Sequence, residues 1–386
     1  MNILNLLDSI GGIGGISSFM TDYLQAIDKK KINLNLWLNS GKYYKGDTKR
    51  LQIPNVEIKQ LGLISHENKY GIRKALKKLK EFDVVHRHSI WLPISLYSLY
   101  SSKLLHKKVV VQPHGALAPL ALAKSSLKKK LVSFLYEKAN MRNASIFVAV
   151  SHKEVRDLKK IFPNKDVALI PNGVPMTFFN NPVVVNSQYE KLLQGKRVVS
   201  LIARIHPIKG IERLIKAVSM IDKSLLRDTI FVMGGSGDKN YITSLKQAIR
   251  KYNLEDYFLF LGHLDREKKL ALLDLSKCFI LPSYSEGFSV SIIEALARGI
   301  PVISTKGTSW EEFDGKNCGL WVENNVEGIM NGIISFLQKD DKELEVMGNN
   351  ARNLVKENYI FEHIIAKYET LYSYLCGKAS KPDYIL

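Results

Sequence analysis

The chain has 386 residues, more than one ordinary hydrophobic core holds, so two domains are expected. With 46% hydrophobic and 24% charged residues it reads as globular rather than disordered, and no run approaches the roughly 20 apolar residues of a membrane-spanning helix. Its three cysteines, Cys278, Cys318 and Cys376, are too scattered for a disulfide framework and point to a reducing compartment, while the net charge of +19 makes the protein strongly basic.

Met1 leads straight into a predicted strand at residues 2–7, with no charged leader ahead of it, so a cytoplasmic protein is expected. The glycine-rich turn at residues 11–15 then opens a helix whose apolar side carries Phe19, Met20, Tyr23, Leu24 and Ile27. A dinucleotide fingerprint counted from Gly12 would need its third glycine at position 17, which is Ser17. No acid follows the next strand either, where Asn39 and Ser40 stand, and both facts weigh against an NAD enzyme.

Residues 83–88 end one strand and residues 109–114 the next, placing His86, His88 and His114 near strand ends. The spacing of two puts His86 and His88 on one face, where they could hold a metal or simply orient backbone. No cysteine partner or D-x-D pair accompanies them.

The positive charge is concentrated in the first half, where residues 1–185 carry 29 Lys and Arg against 12 Asp and Glu. It gathers at Lys29-Lys30-Lys31, at Arg73, Lys74, Lys77, Lys78 and Lys80, and at Lys124 with Lys128-Lys129-Lys130. The last cluster opens an amphipathic segment through Lys138 that suits an anionic lipid surface or, equally, a solvated helix face. No nucleic-acid-binding motif or aromatic stacking platform is found.

A boundary falls in the Pro- and Gly-containing stretch at residues 171–175. The second half begins with a predicted strand at residues 198–203, and its loop carries Arg204 and Lys209 before Gly210 opens a helix. Five apart on a loop, the two cations can both face the end of the sheet. Arg offers a planar fork for phosphate oxygens and Lys a movable point charge.

Two further strand ends, at Gly234-Gly235-Ser236-Gly237 and at Gly262-His263-Leu264, let backbone approach a base or a phosphate closely. A buried strand ending at Pro282 then leads into residues 285–299, with Glu286 on the loop and Glu294 about two turns into the helix that follows. The helix-start amides near Phe288, Ser289 and Val290 suit a diphosphate, and Glu294 suits a ribose diol. Alternating strands and helices in this order signal a nucleotide crevice at the carboxyl ends of a parallel sheet. Helical patterns fill residues 326–376, and residues 377–386 look frayed.

Arg204 with Lys209-Gly210, Gly235-Ser236-Gly237, and Glu286-Gly287-Phe288 with Glu294-Ala295-Leu296-Ala297-Arg298-Gly299 together resemble the retaining glycosyltransferases of family 4, over nearly the whole chain. The resemblance implies an α/β protein of the GT-B fold, with two facing Rossmann-like domains, parallel sheets and a deep interdomain cleft. It places the last helix back on the first domain, dividing the chain into 1–175 with 365–386 as the acceptor-binding domain and 176–364 as the nucleotide-sugar domain.

By the same resemblance His114, Glu286, Arg204 and Lys209 are catalytic, with His114 beside the reacting sugar, Glu286 on its hydroxyls and the two cations on the diphosphate. Gly14, Gly15, Gly235, Gly237, His263, Leu264, Gly287, Phe288, Ser289, Val290 and Glu294 are the implied donor-binding residues, Glu294 on the ribose. The nucleotide sugar is a co-substrate, and no cofactor or metal is implied.

The runs at residues 113–119 and 307–322 are similar to those of members that build bacterial surface polysaccharide or lipopolysaccharide. That similarity implies a glycan or lipid-linked acceptor and an enzyme peripheral at the inner face of the membrane. An epimerase or phosphorylase of the same fold, or a noncatalytic basic module binding a membrane or nucleic acid, are the other readings.

Overall fold

The computed structural model describes residues 1–8, 15–27, 31–38, 57–60, 72–88, 90–118, 131–180 and 192–386. The chain divides into two compact units, Met1–Asn172 with Phe361–Leu386, and Gly173–Ile360.

The first unit is built on β1 (Asn2–Leu7), β2 (Asn33–Leu38), β3 (Glu57–Gln60), β4 (Val84–His88), β5 (Lys108–Gln112), β6 (Ile146–Ala149) and β7 (Val167–Leu169). Its helices are α1 (Gly15–Ala26), α2 (Ile72–Lys78), α3 (Ser95–Leu104), α4 (Lys138–Arg142) and α5 (His152–Ile161). A π-helical turn, Ser133–Glu137, precedes α4.

The second unit holds β8 (Arg197–Ile202), β9 (Thr229–Gly234), β10 (Phe258–Gly262), β11 (Ser276–Leu281), β12 (Val302–Thr305) and β13 (Gly319–Val322). Between and after them run α6 (Ile211–Val218), α7 (Lys239–Lys251), α8 (Arg266–Asp274), α9 (Val290–Ala297), α10 (Phe313–Lys316), α11 (Val326–Leu337) and α12 (Asp341–Asn358). The last helix, α13 (Phe361–Leu375), belongs to the first unit.

The sheets run β3-β2-β1-β4-β5-β6-β7 and β10-β9-β8-β11-β12-β13, with every neighbouring pair parallel. Each is a doubly wound Rossmann order, whose strand sequence reverses at β1/β4 and at β8/β11. Helices cover both faces, so the strands read as continuous apolar runs. In β1, Ile3 and Leu7 enter the cluster under α1 and α13, while Leu4 and Leu6 enter the one on the opposite face.

Helix α13 packs on the first sheet because Phe361, Ile364, Ile365, Tyr368, Leu371 and Tyr372 recur at helical spacing and are all buried. The tail after it is not frayed, contrary to the sequence reading. Ile385 is buried and bridges Ala168 in antiparallel fashion, Leu169 N donates to Tyr384 O at 2.9 Å, and Leu386 N donates to Val167 O at 2.9 Å. The tail therefore pairs the exposed edge of β7, which composition alone could not reveal.

No helix among the described residues is long and apolar enough to cross a membrane.

Candidate active site

At the reversal in the second sheet, the loops leaving β8 and β11 diverge toward helices on opposite faces, which opens a crevice at their carboxyl ends. Residues 203–210 leave β8. Their end is a short 3-10 turn, Pro207–Lys209, capped by His206, whose Nδ1 accepts from Ile208 N at 3.2 Å. Gly210 follows with φ +66°, and a Cβ there would sit 2.2 Å from Pro282 O. A glycine is thus required where the two loops touch, and Tyr284 N donates to Ile208 O at 2.9 Å beside it.

This contact brings Lys209 against Glu286: Lys209 Nζ pairs with Glu286 Oε1, and Ser283 Oγ donates to the same oxygen at 2.9 Å. The loop after β12 fixes the far side, with Glu286 N donating to Gly307 O at 3.0 Å and Ser309 Oγ to Gly287 O at 2.8 Å. Arg204 is exposed on the β8 loop.

The Phe288 side chain is core, packed on Trp310 and Tyr359, and its carbonyl accepts from Trp310 Nε1 at 2.6 Å. Only the backbone N–H of Phe288 is left to serve a ligand. Ser289 then takes φ +68°, an uncommon conformation for a residue with a side chain, and α9 begins at Val290. Ile292 N donates to the Ser289 carbonyl at 3.1 Å, while the Val290 and Ser291 amides ahead of it have no intrahelical acceptor and lie at the positive end of the helix dipole.

Glu294 is the fifth residue of α9, little more than one turn in rather than two as the sequence suggested, because the loop extends through Ser289. It is buried and paired with Lys269 Nζ from α8. Glu286 and Glu294 are therefore each held by a different lysine.

The glycines behave as backbone contacts. Gly235 (φ +144°) passes so close to the β8 exit that a Cβ would fall 1.8 Å from Ala203 O, and one on Gly237 would fall 2.0 Å from Ile205 O. Gly235 N also donates to Gly262 O at 2.7 Å, which joins the two glycine turns. Leu264 fills the space over Gly234, where a Cβ would meet its Cδ1 at 2.4 Å, and His263 is exposed beside it.

In the first unit, His114 follows β5 with φ +53° and Gly115 with φ +79°. Gly115 N donates to Glu154 Oε1 at 2.6 Å and Val150 N to Glu154 Oε2 at 2.8 Å, so a buried carboxylate pins the turn that presents His114. Burial pushes the His114 imidazole down to about 3, leaving it neutral at ordinary pH. Gly14 lies outside the described residues, and Gly15 is the first residue of α1. Among the described residues no group of three or more His, Cys, Asp or Glu side chains is placed to hold a metal ion.

The sequence reading missed Lys269 and Ser283. Lys269 sits in a plain helix with no motif around it, whereas Ser283, three residues before Glu286, could have been noticed. It also missed Arg213, which donates to Pro282 O at 2.5 Å and to Asn324 Oδ1 at 2.9 Å, and stacks 3.6 Å over Tyr284. Arg298 was quoted only as motif. It bonds the carbonyls of Phe178 (2.9 Å) and Asn180 (2.8 Å) and pairs with Asp274.

Two Rossmann-type parallel sheets, with a lysine–glutamate cluster and an amide-rich helix start at one reversal point, define a glycosyltransferase of the GT-B class. A family model described as Glycosyltransferase Family 4 matches residues 13–178, and one described as Glycosyl transferases group 1 matches residues 186–354. Together the two models span most of the chain, which belongs to glycosyltransferase family 4.

Among curated relatives, the UDP-Gal:alpha-D-GlcNAc-diphosphoundecaprenol alpha-1,3-galactosyltransferase of Escherichia coli is 29% identical over 327 residues, 78% of each chain. A glycosyltransferase of Methanocaldococcus jannaschii is 26% identical over 306 residues, 76% of each chain. Among solved structures, the Anabaena protein HepE, crystallised with UDP and glucose, superimposes with a TM-score of 0.77 at 20% identity, over 97% of this chain and 100% of that one.

Proposed function

We propose that the protein is a retaining glycosyltransferase that moves a hexose from a UDP-sugar to a glycan or lipid-diphosphate-linked acceptor in the assembly of a bacterial surface polysaccharide such as O-antigen, capsule or lipopolysaccharide. The observation that carries this reading is the Lys209–Glu286–Ser283 cluster beside the amide-rich start of α9, a place built for a diphosphate next to a polyhydroxylated group. The UDP in the related structure and the UDP-galactose in the relative's name favour uridine as the base.

In this reading Arg204, Lys209 and the backbone amides from Phe288 to Val290 hold the diphosphate, with Gly14, Gly15, Gly235 and Gly237 giving its backbone approach. Glu294 takes the ribose, the turn at His263 and Leu264 faces the base, and Glu286 and His114 hydrogen-bond the sugar. As the anomeric carbon–oxygen bond breaks, negative charge grows on the departing diphosphate, and these cations and amides stabilise it. The acceptor hydroxyl oxygen bonds the anomeric carbon on the face the diphosphate leaves, and its proton passes to a diphosphate oxygen. Charge compensation comes from side chains and amides, so the donor is a co-substrate and no metal or other cofactor takes part.

The π-helical turn supports docking at the inner face of the membrane. Phe134 is 86% exposed, with Leu131 and Leu135 also exposed beside it, and the buried Arg87–Glu137 pair anchors its base at 2.6 Å. The lysines at 128–130 that the sequence links to this surface lie outside the described residues. Phe134→Asp should reduce sedimentation with anionic vesicles, and unchanged binding would remove this surface from the reading.

The deciding experiment offers UDP-galactose, UDP-glucose and UDP-N-acetylglucosamine to the enzyme with a polyprenyl-diphosphate-linked sugar acceptor. Glycosidic product of retained anomeric configuration, insensitive to EDTA, is expected. An inverted anomer, or interconversion of the donor without acceptor, would overturn the proposal.

A further inference from the structure

Three histidine rings form a column on the face of the first sheet that α13 covers. His86 and His88 on β4 have ring centroids 4.1 Å apart, and His88 and His114 follow at 5.5 Å with planes 26° apart. Asn5 Oδ1 lies 3.0 Å from His88 Nε2, and His88 Nδ1 lies 3.2 Å from His114 Nε2. His86 sits in a separate chain, its Nδ1 2.7 Å from Tyr372 Oη, which is 2.9 Å from Tyr23 Oη, so it does not compete for either nitrogen of His88.

Burial keeps all three rings neutral, with His86 and His114 pushed down to about 3 and His88 also well below its ordinary value. A neutral imidazole carries one N–H, which makes the chain directional. The Asn5 amide oxygen only accepts, so His88 donates through Nε2 and keeps a lone pair on Nδ1. His114 then donates to that lone pair through Nε2, which leaves His114 Nδ1 as a bare acceptor. No described residue bonds His114 Nδ1.

We propose that Asn5 and His88 are positioning residues that fix the His114 tautomer, so that its Nδ1 accepts a hydrogen bond from one hydroxyl of the transferred sugar. The proposal rests on the reading of His114 as a sugar contact. Asn5 is fully buried two residues before the end of β1, and His88 ends β4, so the reversal point of the first sheet supplies both members of the chain. An acceptor at that position selects a sugar that offers O–H there, and a fluorine in its place gives nothing to accept.

The test begins with the wild-type protein labelled with 15N-histidine. Ring nitrogen shifts should show Nε2–H on both His88 and His114; Nδ1–H on His114 overturns the proposal, and this measurement needs no variant to fold. Kinetics then use deoxy- and deoxyfluoro-hexose donors.

Asn5→Leu and His88→Leu should lower kcat about tenfold or more at nearly unchanged donor KM, while His88→Gln, whose amide oxygen can accept from His114, should recover most of the loss. One deoxy donor should be poor with wild type, its fluoro counterpart equally poor, and the discrimination should vanish in Asn5→Leu. Full turnover in His114→Ala would instead refute the sugar-contact reading itself. Loss in His114→Ala combined with wild-type behaviour in both Leu variants would refute only the relay.

Discussion

Acid should loosen the first unit well before the second. His86, His88 and His114 are held neutral by burial, with His86 and His114 at about 3 against about 6.5 in the unfolded chain. A depressed folded value means the unfolded chain binds more protons below pH 6.5, so stability falls as pH drops. Each histidine then removes about 1.4 kcal/mol per pH unit, or roughly 2 kcal/mol by pH 5. His86 and His114 together give roughly 4 kcal/mol, a large part of the roughly 5–15 kcal/mol available to a domain, and His88 acts in the same direction.

Glu154, whose carboxyl is raised by burial, takes up its proton earlier in the folded state and so opposes the loss, by at most one proton. The second unit holds no fully buried histidine, since His206 is only half-buried and His263 is exposed. Urea unfolding at pH 7.5, 6 and 5, followed in variants that keep only Trp37 or only Trp310, reads the two units separately. The Trp37 signal should lose several kcal/mol of stability by pH 5 and the Trp310 signal much less; His86→Phe should flatten the first slope by about one proton. A flat Trp37 profile, or an unchanged slope in His86→Phe, would show that the buried rings do not control acid stability.

Lys209→Ala and Arg204→Ala should each cut turnover a hundredfold or more with unfolding unchanged, and near-normal rates would remove them from the leaving-group site. Lys269→Met, which strips Glu294 of its partner, should weaken UDP binding measured by calorimetry while leaving the fold intact. Gly235→Ala forces a Cβ to 1.8 Å from Ala203 O at φ +144°, and thermal melting should show a loss of roughly 1–3 kcal/mol from backbone strain alone. Truncation after Lys378 exposes the β7 edge and the site of Ile385, and should cost roughly 2–3 kcal/mol in urea titrations, a stable truncated protein being the contrary result.

The candidate site was legible wherever chemistry is local. Glu286, Glu294, Lys209 and the glycines at 235 and 237 announce themselves because loop length, helix start and missing side chains are set within a few residues. The partners of the glutamates were less legible: Lys269 reaches Glu294 from 25 positions away, on a helix whose sequence gives no sign of it. The tail was misread because Pro382, Asp383 and Tyr384 look like an exposed terminus, and only pairing with β7 reveals otherwise.

By itself the sequence determined two Rossmann-type units, their strand ends and the residue types gathered at the candidate site, since periodicity and turn chemistry are short-range properties of the chain. Which polar side chains meet in the interior was decided only by tertiary structure. Asn5 and His88 are 83 residues apart and His86 and Tyr372 are 286 apart, and no local pattern couples such positions. Sheet order and the docking of α13 bring them together, and burial then strips away the water that would otherwise set their protonation.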